Sequence, residues 1–234
     1  MSEAKRNFIE GVRAEVPILI GVFPFGMIYG ALAVNSGLSN TAAQLMSSIV
    51  FAGSAQFITA QLFSEGAPAL VMILTIAVVN LRHMLYSASL APYLKDLSLR
   101  WKALLSYLLT DEAYAPSILY YEKEGLSTGH KHWFLFGTGI SLWINWQIST
   151  AIGVFLGAAI PSNLSLDFAL PLTFIAMIVP VMKKSPMVAA ALSAGVTALL
   201  AYSLPYKLGL ILAALVGITV GLLLESRQPD QEAK

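Results

Sequence analysis

Polar and apolar positions alternate along this chain in long blocks rather than with a short period. Apolar runs occupy 16–34, 42–63, 67–90, 103–120, 133–160, 168–182, 186–204 and 206–224, with short polar islands between them. About 20 apolar residues at ~1.5 Å each cross the ~30 Å hydrocarbon core of a bilayer. Each run therefore reads as a transmembrane helix. The pattern predicts an all-α polytopic membrane protein of about eight transmembrane helices, or seven if the second run enters and leaves on one side. A single integral membrane domain, 1–234, follows. A segment 1–15, assigned to the cytoplasm, and a polar tail 225–234 flank the runs.

The second run departs from the rest at its centre, Phe51-Ala52-Gly53-Ser54-Ala55-Gln56-Phe57. Polar or broken backbone survives at membrane depth only where protein or a water-lined cavity surrounds it. One reading is a helix interrupted near Gly53 that faces a solute path, since half-helix ends at the bilayer midplane bind solutes in many transporters. The other is close helix packing, for which small residues are the usual surface. Gly26-x3-Gly30 and Gly153-x3-Gly157 suit tight contact in the same way. Each pair is followed by a short turn, Gly37-Leu38-Ser39 and Asn163-Leu164-Ser165, which suggests a weak internal repeat. Four spans per repeat would make the halves parallel; three would make them inverted.

Composition narrows the class further. The chain is 57% hydrophobic and 12% charged, against roughly 25% charged residues in soluble domains. A net charge of +1 makes no case for nucleic-acid binding. Cysteine is absent, so disulfides and thiolate chemistry are excluded. Residues 1–13 lack the charged and apolar blocks of a cleaved signal peptide, and none is expected. Lys and Arg in the islands set the orientation. With eight spans and a cytoplasmic N-terminus, the inner side holds Lys5, Arg6, Arg13, Lys123, Lys131, Lys183, Lys184, Arg227 and Lys234. The outer side then holds Lys95, Arg100, Lys102 and Lys207, and the cluster at 95–102 fits poorly. Re-entry of the second run would leave seven cations inside and six outside, with 95–102 inside.

Ionisable groups inside a span are costly and point to function. Arg82 can hold a carboxylate in a planar fork, and His83 can change charge near neutral pH. Asn80 shares a helical face with His83, and Arg82 shares one with Tyr86. The competing reading of Arg82 is a cation that snorkels to the interface. Asp111 and Glu112 sit near the centre of the fourth run. Tyr107, Asp111 and Tyr114 are expected on one helical face. A structural salt bridge from this pair to Arg82 is the alternative to a proton-carrying role. Asn145 and Gln147, beside Trp143 and Trp146, are candidates to line a path. Asp167 precedes the sixth run and also reads as a helix N-terminal acid. His130-x-His132 lies in a charged loop with no further ligands and is read as solvated rather than as a metal site.

Phe25-Gly26-x3-Gly30, the Phe51–Phe57 segment, Asn80-Leu81-Arg82-His83-x-Leu85-Tyr86, Leu109-Thr110-Asp111-Glu112 and Leu166-Asp167-Phe168-Ala169 together resemble the AzlC family, the large subunits of branched-chain amino-acid exporters. The resemblance implies export of valine, leucine or isoleucine, and in some members methionine, across the cytoplasmic membrane. It also implies coupling to protons and a small AzlD-like membrane subunit as partner. No cofactor is implied. In this reading Arg82, or backbone N–H groups near Gly53 and Ser54, take the solute carboxylate. Gln56, Asn80 or Asp111 take its ammonium. Asp111, Glu112 and His83 are the proton-coupling candidates, and Asn145, Gln147 and Asp167 line the path. A channel-like or uptake permease for another small solute is the alternative. An intramembrane enzyme is not expected, because no nucleophile–base pair or HExxH spacing is present.

Overall fold

The computed structural model describes residues 2–123, 130–157, 182, 184–205 and 208–226, and these are helical, with no strand among them. The chain divides into two compact units, Met1–Ser64 with Met72–Leu164, and Glu65–Val71 with Ser165–Lys234.

Two uninterrupted helices form the spine of the first unit, α1 (Glu3–Asn35) and α8 (His132–Gly157). The Ser2 hydroxyl caps α1 by accepting from the Lys5 N–H at 3.4 Å, so the helix starts well before the apolar run at 16. Small residues hold α1 and α8 together. A Cβ on Gly11 would meet the Phe134 backbone, one on Gly30 would lie 2.7 Å from Val154 N, and one on Gly157 would lie 2.7 Å from Ala31 Cα. Gly153 faces the Met27 backbone. The two GxxxG pairs therefore pack into each other. Because contacts advance together along both chains, α1 and α8 run parallel.

The second apolar run is a hairpin. α2 (Asn40–Ile49) and α3 (Gly53–Ser64) are 10 and 12 residues long, about 15–18 Å each at ~1.5 Å per residue, half of a bilayer core. A turn at Ser36-Gly37, with φ 93° at Gly37, reverses the chain after α1. α2 then descends beside α1, where the Tyr29 hydroxyl donates to the Ala43 carbonyl at 3.0 Å. The chain breaks at Val50–Ala52 and climbs again. Phe57 packs on Phe25 and Tyr29, with centroids 4.7 and 5.7 Å away, and Phe63 lies beside Gly37. α3 is thus parallel to α1 and ends on the side where α2 began.

The third run crosses. α4 (Ala69–Val79) and α5 (Leu81–Leu94) make one stretch of 26 residues with a single irregular residue, Asn80. The fourth run is a second hairpin. In α6 (Leu99–Leu108), Trp101 packs on His132 and Trp133 near the start of α8, whereas Leu108 meets Gly139. α6 therefore ascends along α8. After Leu109 and Thr110, α7 (Asp111–Tyr121) descends: Ser117 bonds Thr138 at 3.3 Å, Tyr120 stacks on Phe134, and the Tyr121 hydroxyl donates to the Lys131 carbonyl. α5 descends alongside α7, with Tyr86 on Tyr114 and Tyr93 on Tyr121.

These directions match the re-entrant reading of 42–63 and correct that of 103–120, which was expected to cross. Neither 42–63 nor 103–120 crosses; each dips in and returns, from opposite sides. Lys5, Arg6, Arg13, Lys95, Arg100, Lys102, Lys123 and Lys131 then all lie toward one end of the unit, and Arg82 is its one remaining described cation. The cations of this unit are thus gathered at one end, the asymmetry that the positive-inside rule describes. The misfit of the cluster at 95–102 disappears.

In the second unit, α9 (Ser185–Leu200) and α10 (Leu208–Glu225) form an antiparallel pair. Gly209 lies against the Ala201 carbonyl, and Gly217 against Ala194 and Ala190. The run 168–182 and Asp167 lie outside the described residues, apart from Met182.

Candidate functional site

Three helix starts meet where the hairpin tips face the irregular Asn80. Ser54 stands in the first turn of α3, Arg82 in the first turn of α5, and Asp111 opens α7. Arg82 Nη2 donates to Ser54 Oγ at 2.8 Å and Nη1 to Asp111 Oδ2 at 3.3 Å. Unpaired N–H groups at a helix start carry partial positive charge, so the junction joins a cation, a carboxylate and three positive helix ends. The ion pair is not sealed: the side chains are 31% and 35% exposed. Arg82 is thus interior, tied to both hairpins, and does not snorkel to an interface.

The junction also has spare polar capacity. Asn80 Oδ1, Arg82 Nε and His83 Nε2 are buried atoms with no hydrogen-bond partner among the described residues. Asn80 occupies the N-cap position of α5 at φ −89°, ψ 0°, yet its side chain makes no cap bond. An Asn there normally accepts from its own first turn. A cluster of unspent donors and acceptors around a charged pair can receive a zwitterion. The Arg82 fork and helix N–H groups suit a carboxylate, and the Asn80 oxygen and Asp111 suit an ammonium.

Other candidates are spent elsewhere. The fully buried Gln56 amide donates to the Ser47 and Val50 carbonyls, and its oxygen accepts from Trp146 Nε1 at 3.1 Å. Gln56 is a latch for the broken end of α2, not an open acceptor. Gly53 is close-packed, since a Cβ would lie 3.2 Å from the Trp146 ring. Gln147 ties α8 to α2 through Gln44, Ser48 and the Ser47 carbonyl. Asn145 donates to the Leu19 carbonyl of α1 at 3.3 Å. Tyr107 is on α6 while Asp111 and Tyr114 are on α7, so the expected common face does not exist; the Tyr107 hydroxyl instead reaches the Ser48 carbonyl at the other hairpin. Thr110 explains the break: its hydroxyl caps α7 by accepting from Ala113 N–H.

A cavity of about 380 Å³ runs from Lys95 and Lys102 at the cation-rich end, between Leu94 and Leu105, to Leu109 in the α6–α7 tip. Sequence reasoning did not single out Glu15. It is fully buried on α1, and neither carboxylate oxygen has a partner among the described residues. The available signal was its place in the column Asn7, Gly11, Glu15, four residues apart on one helical face.

Crossing helices around two inward-dipping hairpins, with charged first turns at their tips, define a polytopic helical membrane protein with an interior polar site. The chain belongs to the AzlC protein family, whose model matches residues 17–160. It is 28% identical to the inner membrane protein YgaZ of Escherichia coli strain K12 over 93% of this chain and 89% of that one. It is 32% identical to an uncharacterized membrane protein of Archaeoglobus fulgidus over 90% and 92% of the two chains. A branched-chain amino acid transport protein, AzlC, of Bacillus subtilis strain 168 is 29% identical over 70% of this chain and 63% of its own. No solved structure matches.

Proposed function

We propose that this protein is a single-domain secondary transporter that exports valine, leucine, isoleucine and methionine across the cytoplasmic membrane. In this reading export is proton-coupled and works with a small AzlD-like subunit. The name of the Bacillus subtilis relative supports the solute class. The observation that carries the reading is the junction of Ser54, Arg82 and Asp111, with the unspent atoms of Asn80, Arg82 and His83 beside it. The lysine-flanked cavity offers an aliphatic zwitterion a route from the cation-rich end, taken as cytoplasmic on the positive-inside rule, to the α6–α7 tip. An apolar pocket separates side chains by one methylene with only ~1–3 kcal/mol, so overlapping use of the aliphatic amino acids is expected. Asp111, Glu112 and His83 are the candidates for carrying the proton, and Asp167 remains a candidate for lining the path.

The test is labelled-valine efflux from proteoliposomes with and without an imposed pH gradient, alone and with the AzlD-like subunit, over a panel of amino acids. Gradient-driven valine efflux, inhibited by leucine and isoleucine, is the expected result. Gradient-insensitive flux of unrelated solutes would instead establish a channel-like permease.

A further inference from the structure

A charged side chain stands in the seam where α1 and α8 touch. Gly11, Gly26 and Gly30 of α1 let it approach the Phe134 backbone, Ser149 and the Thr150 backbone. Positions 11, 15, 19, 22, 26 and 30 recur every three or four residues and form one ridge. Glu15 is the second member of that ridge. Contacts on either side of it fix its level: Gly11 lies on Phe134, and Asn145 Nδ2 donates to the Leu19 carbonyl at 3.3 Å. The stretch of α8 beside Glu15 is therefore 135–144. Glu15 is completely buried, and neither carboxyl oxygen has a hydrogen-bond or cationic partner among the described residues.

The groups around it offer a negative charge no support. The hydroxyls at this level direct their hydrogens to the backbone. Thr138 donates to the Leu135 carbonyl at 3.0 Å, Ser141 to the Gly137 carbonyl at 2.8 Å, and Ser117 of α7 to the Ala113 carbonyl at 2.7 Å. On α8 the one titratable group is His132, at its first residue, and Lys131 just before it donates to the Tyr121 carbonyl. On α7, Asp111 is paired with Arg82, and Glu112 would carry a charge of the same sign. Tyr114 is bonded to Ser89, Tyr120 to Asn7 and Tyr121 to the Lys131 carbonyl. α2 and α3 have no titratable residue. On α1, Arg6 pairs with Glu10 and Tyr29 donates to the Ala43 carbonyl. Arg13 is exposed and about 200° round the helix from Glu15. A carboxylate shut away from water with no donor and no counter-charge takes up a proton instead.

We propose that Glu15 is a proton-binding site, a neutral carboxylic acid held in the α1–α8 seam near neutral pH, whose proton exchanges with water. In the exchange the carboxyl O–H bond breaks, its electron pair stays on the oxygen and the proton passes to water. The proposal deepens the transporter reading and rests on it only for purpose: it gives the coupling proton a seat outside the Ser54–Arg82–Asp111 junction.

The experiment is infrared difference spectroscopy of the full chain in lipid nanodiscs near neutral pH, in light and heavy water. The parent minus Glu15→Gln difference should contain a protonated-carboxyl carbonyl band that shifts on deuteration. The parent minus Glu10→Gln difference should contain none, because Glu10 lies at the surface beside Arg6. Glu15→Asp keeps the acid with one methylene fewer and should move the band, so it carries the test if Glu15→Gln does not fold. Absence of the band from the first difference, or a band unmoved in Glu15→Asp, overturns the proposal. So does loss of the band from the parent when sodium is added at constant pH, which would make Glu15 a metal-cation site. No transported solute is needed: a band in a protein that does not move valine removes the export reading and leaves this site in place.

Discussion

Arg82 and Asp111 are 29 residues apart in sequence and 3.3 Å apart in space, each in the first turn of a helix that begins in the interior. The Arg82 guanidinium also holds Ser54 at 2.8 Å, so one side chain joins both hairpins to the crossing helix. A charge-assisted hydrogen bond of this kind contributes ~1.5–3 kcal/mol when it is lost.

Arg82→Lys keeps the charge and loses the fork. A single ammonium cannot reach Ser54 and Asp111 while presenting a donor to a solute. Valine efflux is expected to fall by about 10- to 100-fold, with the purified protein still monodisperse. Asp111→Asn should abolish gradient-driven efflux. Unchanged efflux in both would remove the junction from the mechanism.

Gln56→Leu tests the latch. It leaves the Trp146 N–H without its buried acceptor, and the Ser47 and Val50 carbonyls with only Gln147 Nε2 and the Ala52 N–H as donors. The unpaired N–H costs ~1–3 kcal/mol. The thermal midpoint in detergent should drop well below that of the parent, more than for Ser64→Ala at the exposed end of α3.

Gly30→Val and Gly153→Val should separate α1 from α8. Their side chains would be driven into the backbone of Thr150 and Met27, and overpacking typically costs ~1–3 kcal/mol. Loss of folded protein on size exclusion is expected for both. Gly21→Ala is the control, because nothing lies within 4 Å of its Cβ.

The hairpin topology is open to labelling, since the chain has no native cysteine. Ser36→Cys and Ser64→Cys flank the α2–α3 hairpin and should both react with an impermeant maleimide from outside intact cells. Ser98→Cys, between α5 and α6, should react only in inside-out vesicles. Outside labelling at 98 would make 42–63 a full crossing and refute the α2–α3 hairpin.

Much of this was legible in the residues. The continuous helices α1 and α8, the GxxxG contacts, the break near Gly53 and the possibility of an Arg82–Asp111 salt bridge all follow from local composition and spacing. The break at Asn80 and the reversal of the fourth run do not, and re-entry of the second run was one of two readings the residues left open. Hydropathy counts apolar residues and carries no direction, so two half-length helices that dip and return look the same as one that crosses. The local clues were the cations at 95–102 and the Thr110-Asp111 cap, which sit awkwardly in a straight fourth span. The residues alone do not reveal the Gln56 partners, because an amide at membrane depth can serve the backbone as readily as a solute.

The chain by itself determined that this is a helical membrane protein, which helices could approach closely and which side chains were too polar for lipid. Those are properties of single residues and short spacings. Tertiary structure decided that the second and fourth runs are hairpins from opposite sides, that Arg82 bridges them, and that Glu15 is buried with neither oxygen partnered among the described residues. Each depends on which helix face meets which neighbour, and that is set by packing between segments far apart in the chain.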